Sequence, residues 1–104
     1  MKNLVPGHTY ELPNFENKNE PGQTLQFIHK EPIEPGSTQL VTVADGTTNE
    51  AVLEAMIDRM MFLQDAFPCK ENACCITHLQ EGLMWLKKRT NDRLKRGVEG
   101  QNKV

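Results

Sequence analysis

The sequence predicts an α+β fold, in which a small N-terminal antiparallel β-sheet precedes a C-terminal antiparallel helical hairpin, in an oligomer. Three observations lead there. Five of the six prolines, Pro6, Pro13, Pro21, Pro32 and Pro35, lie before Gly46 and exclude long helices from that half. From Thr47 onward the apolar residues recur at three and four, with a single break at Phe67-Pro68. The chain has 104 residues, of which 38% are hydrophobic and 6% aromatic, so core material is limited and a partner subunit is expected.

In the N-terminal region, residues 1–46, three strands are expected: His8 to Phe15, Gln23 to His29 and Thr38 to Val43. Each is rich in aromatic or β-branched residues or alternates polar with apolar at period two. Glu20-Pro21-Gly22 and Glu34-Pro35-Gly36 place Pro before Gly, as the two central positions of a type II turn require. Pro13 either puts the first strand at an edge or breaks it.

The second region, residues 47–104, forms one domain with the first and begins with Thr47-x-x-Glu50, a capping-box pattern, directly after Asp45-Gly46. A helix from about Thr48 to Asp65 follows, with Val52, Leu53, Met56, Ile57, Met60, Met61 and Leu63 as its apolar stripe. The residue before a proline avoids the helical region, so Phe67-Pro68 ends it. A second helix runs from about Lys70 to Arg93. Ala73, Ile76, Leu79, Leu83 and Leu86 line one face, and Cys75, His78, Gly82, Trp85 and Arg89 a neighbouring one. The short connection makes the helices antiparallel neighbours. Gly82, costly in mid-helix by about 1 kcal/mol relative to alanine, implies close approach of a backbone or ligand. Gly97 to Val104 reads as a frayed polar tail.

Charge and cysteine usage exclude several classes. A net charge of -2 does not fit binding of DNA across a whole face. Cys69, Cys74 and Cys75 are odd in number and two are adjacent, which fits buried free thiols in a reducing cytoplasm better than a disulfide framework. No apolar run approaches the length of a membrane span. Cys74 and His78 stand at i and i+4, but the set lacks a zinc spacing, so no metal is expected. No Walker, GxSxG or GxGxxG pattern is present, and no catalytic residue or cofactor is assigned.

The candidate site residues lie on the hairpin. Between Lys87 and Arg96, six basic residues stand against one acid, Asp92. Arg89 and Arg93, at i and i+4, share a face that fits phosphate oxygens, although basic residues also suit a solvated helix C-terminus. Asn72, just past Phe67-Pro68, is either a polar ligand contact or a helix-start residue. Phe62 stacks on a base or belongs to the core. An alternative function is an oligomeric interaction module whose basic helix end binds an acidic partner or nucleic acid, using Met56, Met60, Met61 and Trp85 as surface.

The run Thr77-His78-Leu79-Gln80-Glu81-Gly82-Leu83-Met84-Trp85-Leu86, followed by Lys88-Arg89-Thr90, resembles the helical-hairpin signature of phage immune-evasion sponges. That family comprises the Thoeris anti-defence and anti-CBASS proteins. The strand-rich N-terminus is more similar to the Thoeris branch, and the resemblance covers Thr47 to Gly100. It implies a hexamer built from dimers, in the host cell cytoplasm, that binds its signal without cleaving it. The implied ligand is glycocyclic ADP-ribose, held between two subunits near the sheet-to-hairpin interface, with a separate site for cyclic trinucleotides. By the same resemblance Phe62 stacks on adenine, Asn72 supplies polar recognition and Arg89 holds the diphosphate. Thr90 and Arg93 complete the ligand-binding set. The family's N-terminal basic contact has no identified counterpart in this sequence.

Overall fold

Strands come first and helices last, in an α+β arrangement. The computed structural model describes residues 1–104. Its elements are β1 (Lys2–Val5), β2 (Thr9–Leu12), β3 (Gln23–Gln26), β4 (His29–Pro32), β5 (Leu40–Ala44), α1 (Asn49–Ala66) and α2 (Lys70–Arg96). They fall into two compact units, Met1–Thr47 and Thr48–Val104.

The first unit holds two antiparallel sheets where one was expected: β1-β2-β3 and β4-β5. Pro13 does break its strand, since β2 stops at Leu12 and pairs on both sides, Tyr10 facing Asn3 of β1 and Leu25 of β3. The single strand expected over Gln23 to His29 divides between the sheets. Gln26 ends β3, and Phe27 forms a parallel bridge with Thr47. Thr47 N–H donates to Gln26 O at 2.9 Å, and Ile28 N–H to Thr47 O at 2.8 Å. Gly46 permits this crossing, because a Cβ there would stand 2.4 Å from Gln26 O. β1 has no burial alternation to betray it, with all four residues exposed.

The two Pro-Gly turns differ. At Pro35-Gly36, Gly36 has φ +81° and Ser37 N–H donates to Glu34 O at 3.0 Å, the expected type II geometry. Gly22 stays outside the left-handed region. Glycine is required there because a Cβ would lie 1.9 Å from Leu12 O, and its N–H donates to Glu11 Oε1 at 2.9 Å. Around Phe27, Tyr10 meets the ring edge-on with centroids 5.9 Å apart, and the His8 and His29 imidazoles stack.

In the second unit the cap falls one residue later than the capping box predicts. Thr48, extended at φ -114° and ψ 162°, accepts from Ala51 N–H through Oγ1 at 3.1 Å, while Thr47 belongs to the strand bridge. α1 ends at Ala66, before Phe67-Pro68. Gln64 then clamps the connection, accepting from Cys69 N–H at 3.0 Å and donating to Cys69 O at 3.1 Å. Cys69 caps α2, its Sγ accepting from Asn72 N–H at 3.4 Å.

The helices meet along a heptad-like seam. Leu53, Ile57, Met60 and Gln64 on α1, and Asn72, Ile76, Leu79, Leu83, Leu86 and Thr90 on α2, are half-buried at alternating spacings of three and four. Met56 and Met61 are exposed, so the α1 stripe is narrower than the sequence pattern implies. Ala73 is exposed too, whereas Cys75 and Gly82 join the inner side of α2. The close approach expected at Gly82 is absent within the chain: a Cβ there would meet only Leu53 Cδ1, at 3.9 Å. No apolar side chain of either unit is buried, and the one buried residue is Arg93, 5% exposed.

The tail is not frayed. Gly97 adopts φ +72°, its N–H donates to Leu94 O at 3.1 Å, and Val98 N–H donates to Arg93 O at 3.0 Å, which together form a Schellman motif. The turn continues through Gln101 N–H to Val98 O at 3.0 Å. The sequence carried this signal in Gly97 after Lys95-Arg96, a helix stop signal.

Candidate site at the two ends of the hairpin

The hairpin presents its candidate ligand residues at two separated ends. At the loop end, Phe62 projects outward, 70% exposed, on the last turns of α1, which excludes its reading as core. Phe67, unassigned from sequence, is even more open at 81%. Asn72 is half-buried in the first turn of α2, where its N–H completes the Cys69 cap. Its backbone serves the helix start, and its side-chain amide makes no hydrogen bond, so the structure does not set one role against the other.

At the other end, an open groove of ≈ 220 Å³ is lined by Trp85, Lys88, Arg89, Asp92, Arg93 and Arg96. Helical spacing puts Trp85, Arg89, Asp92 and Arg96 on one face, at steps of three and four. Lys88 Nζ pairs with Asp92 at 2.8 Å. Its hydrogen bond and charge, with Lys95 and Arg96 nearby, hold the Asp92 carboxyl below the ordinary aspartate range. Lys87 pairs with Glu54 across the hairpin at 3.6 Å. Arg89 and Arg96 make no ion pair or side-chain hydrogen bond and so remain available to an anion. Thr90 is half-buried on the seam.

Arg93 stands apart from its expected role. Its guanidinium points into the C-terminal turn, donating to Val98 O and Gln101 O at 2.8 Å each and to Lys103 O. Its Nε lies 3.2 Å from Glu99. Arg89 and Arg93 do line one groove, but only Arg89 faces it with free donors. Glu99 and the tail carbonyls were invisible to sequence reasoning, since backbone acceptors carry no residue signature.

Distance separates the two ends. Asn72 and Arg89 are seventeen residues apart on one helix, about 26 Å along its axis. From the level of the Lys87–Glu54 pair, Phe62 lies about 12 Å toward the loop end. One chain therefore does not gather Phe62, Asn72, Arg89, Thr90 and Arg93 into one pocket.

Elsewhere the chemistry is sparse. Cys69 and Cys74 are exposed free thiols and only Cys75 is half-buried, contrary to the expectation of buried thiols. No three of the His, Cys, Asp and Glu side chains converge as a metal site. No helix is long and apolar enough to cross a membrane.

Comparison with known proteins agrees on the hairpin. The family model described as Acb2/Tad1, hairpin domain, matches residues 29–91, from the first residue of β4 to just short of Arg93. The chain is similar to Thoeris anti-defense 1 of Bacillus phage SBSphiJ7, 50% identical over 58 residues, which is 55% of this chain and 41% of that relative. It thus matches less than half the length of that protein.

Proposed function

The chain belongs to the Acb2/Tad1 hairpin-domain family, and from that membership we propose that it is a bacteriophage anti-defence protein that sequesters a cyclic nucleotide immune signal without cleaving it. The Thoeris signal glycocyclic ADP-ribose is the first ligand, and cyclic trinucleotides of CBASS are a second class for a separate site. The observation that carries the reading is the family match itself, which spans Phe62, Asn72, Arg89 and Thr90.

In this reading Arg89 pairs with the diphosphate, Phe62 stacks on the adenine and Asn72 reads polar edges of the ligand. A compact ligand that touches both Asn72 and Arg89 takes them from different subunits, because one helix holds them about 26 Å apart. Self-association, as a hexamer of dimers, is therefore part of the proposal. Two features favour it: neither unit buries an apolar side chain, and Met56, Met61, Phe62, Trp85 and Leu94 stand exposed along the hairpin. Sequestration requires no general acid or base. Stacking worth about 1–3 kcal/mol and charge-assisted bonds worth about 1.5–3 kcal/mol each suffice for tight retention. The protein acts in the host cell cytoplasm, where the signal is made.

The test is to mix the protein with glycocyclic ADP-ribose, remove free ligand, denature the complex and weigh what is released. Intact ligand is expected; a cleaved product means catalysis instead. Retention of any polyanion with a steep loss in added salt would favour an electrostatic interaction module.

A further inference from the structure

The one sealed side chain of the molecule is a cation at the edge of the groove proposed to hold phosphate. A guanidinium has five N–H donors in a fixed fork. In Arg93 one faces Glu99 at 3.2 Å, one reaches Lys103 O, and two reach Val98 O and Gln101 O. A single donor is left, so Arg93 has no bidentate edge to offer an anion while the turn is closed. The neighbours on the same groove, Arg89 and Arg96, have all of theirs.

The turn that occupies Arg93 is short and lies at the surface. Its own backbone contributes the Val98 N–H to Arg93 O and Gln101 N–H to Val98 O bonds. Val98 is half-buried, and Glu99 through Val104 are exposed. Its entry depends on Gly97 in the left-handed region, φ +72°, where open space surrounds the position of a Cβ but an L side chain is strained. Three carbonyls and one carboxylate imitate, in geometry and charge sense, the oxygen shell that a diphosphate presents to an arginine. They are an internal substitute for a ligand.

We infer that residues 98–103 form a strap that holds the Arg93 guanidinium in the unliganded protein and yields it to a phosphate-bearing ligand. The inference rests on the proposed nucleotide-binding function, to which it adds a conformational step. Binding then proceeds in two stages: Arg89 and Arg96 engage the anion first, and Arg93 swings from the tail carbonyls to the phosphate oxygens, releasing the strap. The released segment makes no contact with the ligand, and the apparent affinity is the intrinsic one scaled by the fraction of molecules in which the strap is open.

The experiment uses the full chain with glycocyclic ADP-ribose as probe. Gly97→Ala disfavours the left-handed turn that starts the strap, so it is expected to expose the hydrogen-bonded Val98 and Gln101 amides to exchange and tighten binding about tenfold. In the original chain, adding the ligand is expected to remove protection from the same amides. Measured against Arg93→Ala alone, the double variant Arg93→Ala with Gly97→Ala is expected to show no gain, since the cycle isolates the coupling between the two positions. Equal affinities for the original chain and Gly97→Ala, or a strap that stays protected with ligand bound, would overturn the strap. Weaker binding by Gly97→Ala would also overturn it, because the turn would then build the site. If neither chain binds the probe, the nucleotide reading itself fails and the strap with it.

Discussion

The imidazoles of His8 and His29 lie face to face, with centroids 3.6 Å apart and planes 7° from parallel. His29 also places Nε2 3.0 Å from Glu31 Oε1. His8 follows β1 and His29 opens β4, so the stack ties the two sheets of the first unit together beside the Phe27 N–H to His8 O bond. Aromatic pairs contribute about 0.5–1.5 kcal/mol beyond the area they bury. His8→Ala is accordingly expected to lower stability by about that amount in urea denaturation, and His8→Phe to retain most of it.

Two glycines make opposite predictions. At Gly22 the added methyl would strike the Leu12 carbonyl, with no flexible side chain to yield, so Gly22→Ala is expected to break the β2–β3 ladder where Leu12 faces Gln23. Loss of slow-exchanging amides over residues 9–26 would report it. At Gly82 the same methyl finds 3.9 Å of room, and Gly82→Ala is expected to stabilise the hairpin by about 1 kcal/mol. If assembly is lost in Gly82→Ala while the helices become more stable, that position is a subunit contact.

The helix cap discriminates between adjacent threonines. Thr48→Ala removes the acceptor of Ala51 N–H and is expected to cost about 1 kcal/mol. Thr47→Ala keeps the backbone bonds of the bridge and leaves the α1 cap intact. Equal losses of α1 helicity in the two variants would place the cap wrongly.

The basic end has a titration of its own. Asp92 has a folded-state pKa held below its ordinary value, chiefly by the Lys88 hydrogen bond. The pair's contribution is therefore complete above the unfolded aspartate pKa, about 3.9, and fades as pH falls through the lower folded value. An NMR titration of the Asp92 carboxyl is expected to find its midpoint below 3.8, and Lys88→Ala to raise that midpoint. No change on removing Lys88 would discard the assignment.

Arg89→Ala is expected to lower affinity for glycocyclic ADP-ribose by at least tenfold with unchanged oligomeric size, since each charge-assisted bond contributes about 1.5–3 kcal/mol. Retained affinity would move the phosphate site elsewhere.

The hairpin was legible because its signals are local. Period 3.6, Phe67-Pro68 and the basic end set α1 and α2 to within three residues at every boundary. The sheets were less so. The Gln23–His29 alternation continues across the point where the chain changes sheets, and the cause is Thr47, twenty residues away in sequence. Lys2–Val5 becomes a strand by pairing alone. The threonine pair shows the same limit at one-residue scale: either can cap, and only the long-range bridge decides. Among the site residues, the separation of Asn72 from Arg89 follows from helix geometry, whereas sequence left Phe62 open between stacking and core, and the surroundings of Arg93 depend on backbone carbonyls that residue identity does not announce.

The absence of any sealed apolar side chain has a calorimetric consequence. The heat capacity gained on unfolding comes from wetting apolar surface, typically about 12–15 cal/mol/K per residue. A lone protomer, already wet at Met56, Met61, Phe62, Phe67 and Trp85, has less to expose. Its stability curve is therefore shallow in temperature, with neither a sharp melt nor a pronounced cold limb. In the proposed assembly, most of the heat capacity change would accompany the covering of those surfaces by a partner.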